Sequence, residues 1–141
     1  MSGSAVLVDT NVFVSARNRQ ERGCSACREL LDRIDNGELQ AIVSTVTIAE
    51  LRVGVRPQDV PTFWRAILTH LLTSANFRVE PVGVDIAEAA GELRATFRLT
   101  LPDALIVATG RLAGASCLVT QDTALATQQR VLPVRAPSDA A

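Results

Sequence analysis

Apolar and polar positions along the chain fall into short, β-branched runs separated by longer stretches with helical spacing. Ala5 to Val8 is an unbroken apolar run that reads as a buried strand, ending at Asp9-Thr10-Asn11 before a short helix. From Cys24 to Asn36, the residues Cys27, Leu30, Leu31 and Ile34 recur at helical intervals, and Asn36-Gly37 supplies the stop. Ala41 to Ser44 reads as a second strand and Val46 to Val53 as a short helix. Val60 to Leu72 carries a wide helical face of Phe63, Trp64, Ile67, Leu68, Leu71 and Leu72. Arg78 to Val82 reads as a strand, Asp85 to Leu99 and Leu101 to Leu112 as helices, and Cys117 to Thr120 and Val131 to Val134 as the last strands. Strands separated by helices require crossover connections, which implies a three-layer α/β/α sandwich around a mainly parallel sheet. No repeat, low-complexity tract or composition break divides the chain, so residues 1–141 read as one domain with a core of about 5–135.

In open parallel sheets, ligands bind beyond the carboxyl ends of the strands. Asp9 directly follows the first strand, Glu50 lies one turn into the helix after the second, and Asp122 comes just after the strand ending at Thr120. Asp103 opens the Leu101 to Leu112 helix, and its position relative to that edge is less determined by the pattern. Taken singly, each acid reads first as a helix cap. Asp9 and Asp122 precede turns, Thr47 and Glu50 have capping-box spacing, and Asp103 follows Pro102 in a first helical turn. Taken together, caps explain them less well, because Ser, Thr or Asn would cap as effectively. Carboxylates crowded into a partly desolvated crevice repel one another and resist ionisation, a cost that a hard divalent cation removes. Phosphodiester hydrolysis is the chemistry such a site suits.

Composition narrows the choice. The chain is 48% hydrophobic and 21% charged, ordinary for a globular protein, and its formal net charge is -1, so there is no overall basic signature of a nucleic-acid binder. All 14 basic residues are arginine, which excludes any mechanism built on lysine. Cys24, Cys27 and Cys117 are odd in number, and His70 is the single histidine, so disulfide frameworks and most zinc sites are poor readings. The Cys24/Cys27 pair reads as buried thiols on a helix. No apolar stretch approaches the roughly 20 residues that cross a bilayer, and no secretory leader is visible, so the expectation is a cytoplasmic protein away from membranes.

Four segments, VDTNV (Val8 to Val12), TVTIAELRVG (Thr45 to Gly54), LPDALIVATG (Leu101 to Gly110) and LVTQD (Leu118 to Asp122), resemble in order and spacing the motifs of PIN-domain ribonucleases, and more narrowly the VapC toxins of toxin–antitoxin pairs. The resemblance covers about Ala5 to Val134. It implies a PIN-like fold and an acidic quartet of Asp9, Glu50, Asp103 and Asp122, with Asp9 and Asp103 the most direct metal ligands and Asn11 and Thr120 at the site margin. It further implies an endoribonuclease using one or two Mg²⁺ or Mn²⁺ ions on transfer or ribosomal RNA, a VapB-like antitoxin partner that silences it, and a homodimer. A PIN-type RNA-processing nuclease without antitoxin and a non-catalytic module of the same fold are the alternatives.

Arg17, Arg19 and Arg22 form a basic loop that reads equally as an RNA-phosphate contact or a solvated surface. Arg52 and Arg56, beside Glu50, read first as surface residues, Phe63 and Trp64 as core or interface packing, and His70 as an exposed or satisfied side chain. Asp-Thr-Asn-Val also echoes the signature of haloacid-dehalogenase-like phosphatases. That chemistry needs a second Asp where Asn11 stands and a later lysine, and receiver domains need a lysine too.

Overall fold

The computed structural model describes residues 5–18, 20, 22–128 and 130–140. Its centre is a five-stranded, all-parallel sheet in the order β3-β2-β1-β4-β5, built from β1 (Ala5–Val8), β2 (Gln40–Ser44), β3 (Phe77–Glu80), β4 (Cys117–Val119) and β5 (Val134–Arg135). The α-helices among the described residues are α1 (Thr10–Arg17), α2 (Cys24–Asp35), α3 (Thr45–Val53), α4 (Arg65–Thr73), α5 (Val84–Phe97) and α6 (Leu101–Leu112).

Strand periodicity sorts the core into two layers. Val6 and Val8, Ala41 and Val43, and Cys117 and Val119 face one side, where they pack with Val12 of α1, Cys27, Leu30 and Ile34 of α2, and Trp64 just before α4. The intervening residues Leu7, Ile42 and Leu118 face the other side and meet Ile86, Ala90 and Leu93 of α5 and Ala104, Ile106 and Val107 of α6. Both faces of the sheet are covered, which is why its strands read as continuous apolar runs instead of alternating ones.

The chain builds outward from β1 through β2 to β3, then returns to the other side of β1 for β4 and β5. The carboxyl end of β1 is therefore the switch point of the sheet, where the crossovers diverge and leave a crevice. Asp9 stands there, its backbone N–H bonded to Val119 O at 3.0 Å. No helix of the described residues is long and apolar enough to cross a membrane.

Two expected elements differ. The run Val60 to Leu72 divides into a wide π-type turn at Val60–Trp64 and α4 from Arg65, because Pro61 has no N–H to give to a regular helical ladder. Trp64 is buried as expected, whereas Phe63 and Leu72 remain exposed. The last strand is Val134–Arg135 rather than Val131 to Val134. Val131 and Leu132 instead donate to Gln128 O at 2.9 and 3.0 Å, and pairing with β4 begins where Leu118 N–H meets Pro133 O at 2.7 Å. The C-terminal tail forms a short turn at Pro137–Asp139, and Ala140 O accepts from Arg33 Nη1 at 2.6 Å.

α6 lies so close to the sheet that a Cβ on Gly110 would stand 2.6 Å from Leu132 Cδ2 and 2.9 Å from Leu7 Cδ2. Gly110→Ala should therefore overpack this layer and destabilise the protein by about 1–3 kcal/mol. Chemical denaturation measures this directly, and wild-type stability in the variant would show that the contact relaxes freely.

Candidate active site

The site is assembled from the amino ends of α1 and α6, the second half of α3 and the loop after β4. Asp9 takes the N-cap position of α1 with extended backbone (φ -74, ψ 156), so its carboxylate turns back over the first turn, where Oδ1 accepts the Thr10 N–H at 2.8 Å. Oδ2 accepts the Thr120 hydroxyl at 2.8 Å and faces Asn11 Nδ2 at 3.4 Å. The residue is 5% exposed. Burial pushes its carboxyl up to about 6; the bonds from Thr120 and Thr10 oppose the rise, and the charges of Asp103 and Glu50 add to it.

Thr120 has no hydroxyl valence left over. Its proton goes to Asp9, and its oxygen accepts Asn11 Nδ2 and the Asp122 N–H, each at 3.0 Å. Asn11 and Thr120, expected at the margin, are thus bonded to Asp9 itself. Asn11 Oδ1 in turn accepts the Gln121 N–H at 3.1 Å.

Asp103 lies in the first turn of α6, whose N-cap Thr100 accepts the Asp103 N–H at 3.3 Å. Partial burial raises its carboxyl pKa, the Thr100 hydroxyl opposes this, and the charges of Asp122 and Glu50 raise it further. The acid whose position was least determined by sequence is therefore electrostatically in contact with the other three. Asp122 caps the following turn, its Oδ1 accepting the Ala124 N–H at 2.9 Å. Glu50 does not close a capping box with Thr47, because the cap of α3 is Ser44, whose Oγ accepts the Val46 N–H at 3.0 Å. That frees Glu50 to reach across, where its Oε1 meets Thr10 Oγ1 at 2.7 Å.

The capping and clustering readings are thus compatible, since Asp9 and Asp122 cap turns and also face the shared crevice. None of the four acids takes part in an ion pair among the described residues. Nor, among those residues, are three His, Cys, Asp or Glu side chains gathered tightly enough to hold an ion alone. An all-oxygen, open arrangement of this kind suits Mg²⁺ or Mn²⁺, since Mg²⁺ is commonly bound by one or two carboxylates and completes its shell with water and substrate phosphate. The donor chemistry fits; a closed ligand shell is not preformed.

The arginines are less concentrated than expected. Arg17 ends α1, about 12 Å along an eight-residue helix from Asp9, and its guanidinium covers the Phe63 ring at 4.7 Å. Arg22 is exposed, and its carbonyl lies 3.5 Å from Gln121 Nε2. Arg19 is outside the described residues. Arg56 is held by Asp59 at 2.9 Å.

Thr10 and Gln121 are the residues that sequence reasoning passed over, and Thr47 was read there only as a capping partner of Glu50. Gln121 joins three segments: its N–H reaches Asn11, its Oε1 accepts from Ser15 on α1, and its Nε2 points to the loop before α2. Gly23 there has φ +88, and a Cβ would fall 2.1 Å from Gln121 Nε2, so the loop is shaped around this amide. The available signal was position, since Gln121 lies between Thr120 and Asp122 in one motif.

A family model of the PIN domain matches residues 6–130, a span that includes all four acids. The chain belongs to the PIN domain family. PIN domains are nucleases. No curated protein sequence matches this one. Solved structures share the PIN fold at low identity. A toxin–antitoxin complex from Klebsiella pneumoniae is 24% identical with a TM-score of 0.67, covering 94% of this chain and 98% of that one. FitAcB from Neisseria gonorrhoeae is 21% identical with a TM-score of 0.69, over 96% and 99% of the two chains. VapBC-1 from nontypeable Haemophilus influenzae is 16% identical with a TM-score of 0.68, also over 96% and 99%.

The Asp9 carboxyl has a signature independent of activity. The folded protein binds its proton more tightly than an ordinary carboxyl at 3.8, so its contribution to stability falls as pH rises from about 4 through about 6 and then levels off. Asp9→Asn removes this dependence. In metal-free buffer, its stability relative to wild type should improve by on the order of 3 kcal/mol between pH 4 and pH 8. Parallel denaturation curves for the two proteins across that range would refute the buried, strained carboxylate.

Proposed function

We propose that this PIN domain is a Mg²⁺- or Mn²⁺-dependent endoribonuclease and the toxin of a toxin–antitoxin pair. The observation that carries the enzymatic part is the uncompensated acidic crevice, in which Asp9 is buried at the switch point beside Asp103, with Glu50 and Asp122 close enough to raise the cost of ionisation. Asp9 and Asp103 would be the principal ligands, with Glu50 and Asp122 completing the acidic rim. An ion held there would supply a lowered pKa for an attacking water and stabilisation of charge on the phosphate.

The chain's own residues do the positioning. Thr120, its hydroxyl saturated, keeps Asp9 Oδ2 an acceptor directed into the crevice. Asn11 and Gln121 keep the β4 loop, and with it Asp122, seated against α1. In the metal-free protein Asp9 takes up a proton below a pH of about 6, so acid competes with the ion for this ligand and a higher metal concentration should be needed for cleavage as pH falls. Arg17 and Arg22 would meet phosphates flanking the scissile bond.

The toxin assignment rests on likeness. The similar structures include a toxin–antitoxin complex and VapBC assemblies, covered almost end to end. An apolar groove of about 360 Å³ between α1, α2 and α4, lined by Phe13, Leu31, Leu51, Phe63, Ile67 and Leu71, offers a VapB-like partner a surface to cover. Homodimerisation is part of the same reading, with transfer or ribosomal RNA as substrate.

Purified protein should cleave RNA with Mg²⁺ or Mn²⁺ and stop in chelator, and Asp9→Asn or Asp103→Asn should reduce cleavage by at least about a thousandfold with the fold intact. Cleavage retained in those variants refutes the site. Co-expression with a short neighbouring reading frame should yield an inactive complex, and a freely active nuclease in its presence refutes the toxin assignment.

A further inference from the structure

Glu50 reaches the crevice differently from the other acids. It comes from α3, is exposed, and projects toward Asp9 and Asp103, both of which feel its negative charge. A flexible carboxylate repelled by two others swings toward water unless something holds it. The holding contact is Thr10 Oγ1, 2.7 Å from Glu50 Oε1 and 2.9 Å from Thr47 Oγ1. A hydroxyl has one proton, so Thr10 donates to Glu50 while accepting from Thr47, a residue 0% exposed inside α3. The Thr10 backbone N–H simultaneously holds Asp9 Oδ1 at 2.8 Å. One residue thus clasps two mutually repelling carboxylates, one through its main chain and the other through its side chain.

We propose that Thr10 is a positioning residue that holds Glu50 at the crevice, joining the α3 arm of the acidic rim to Asp9 for divalent-cation binding. This rests on the metal-site reading above. The two functions of Thr10 are separable, because valine has nearly the same shape and the same N–H but no hydroxyl. Thr10→Val should release Glu50 and leave Asp9 capped.

The test is calorimetric titration of the full chain with Mn²⁺ alone, without RNA. Thr10→Val should weaken Mn²⁺ binding about tenfold, the scale of one hydrogen bond to a charged group. Thr10→Ser should stay within about twofold of wild type, and Thr10→Ala, which also lacks the hydroxyl, should show a loss in the same direction and serves in place of valine where that variant fails to fold. In a Glu50→Gln background, adding Thr10→Val should change affinity by less than about twofold, because the group being held has already lost its charge. Unchanged binding in Thr10→Val and Thr10→Ala, or a full tenfold loss in the Glu50→Gln background, overturns the role of Thr10. Wild-type protein that binds no Mn²⁺ overturns the metal site and this proposal with it. Wild type that binds Mn²⁺ without cutting RNA overturns only the nuclease activity.

Discussion

A carboxylate buried where a parallel sheet changes direction has to be held against its own desolvation and against the charge of its neighbours. Asp9 is in that position, and the surrounding architecture answers it. Its two oxygens are occupied by the N–H of the residue after it and by a hydroxyl from the neighbouring strand's exit. These bonds offset part of the burial cost without cancelling it, leaving a carboxyl near 6. An arginine paired with it would have cancelled that charge inside the crevice. With no such pair among the described residues, the negative charge of the crevice stays uncompensated.

The same constraint organises the loops. Thr120 serves Asp9 while its own oxygen is held by Asn11 and by the Asp122 backbone, so two parts of the chain far apart in sequence share one hydroxyl. Gln121 extends that arrangement to Ser15 and to the turn before α2, where glycine leaves room for its amide. Organisation by saturated side-chain bonds is costly to lose, since removing one partner leaves another buried polar group unsatisfied.

Much of the fold was legible because both sheet faces are buried. Continuous apolar runs such as Ala5 to Val8 and helical intervals such as those from Cys27 to Ile34 mark elements whose positions hold to within a residue or two. The failures occurred where a backbone donor is missing. Pro61 divides one helix, and Pro133 delays the last strand. At the site, the acids could be named because each follows a strand or opens a helix in a motif resembling the PIN family. Which hydroxyls hold them could not, because Thr10 and Thr47 are 37 residues apart and meet only after α1 and α3 cross the same edge. Capping-box spacing even suggested the wrong partner for Glu50.

The two outer strands have a different consequence. β5 is two residues long and starts beside a proline, while β3 carries the Arg78–Glu80 ion pair at 3.4 Å along its four residues. A blunt rim and a charged one are poor templates for another chain's backbone. The sheet is thereby guarded against growing from protein to protein, which leaves the helical faces, with side chains rather than unpaired amides, as the surfaces open to another molecule.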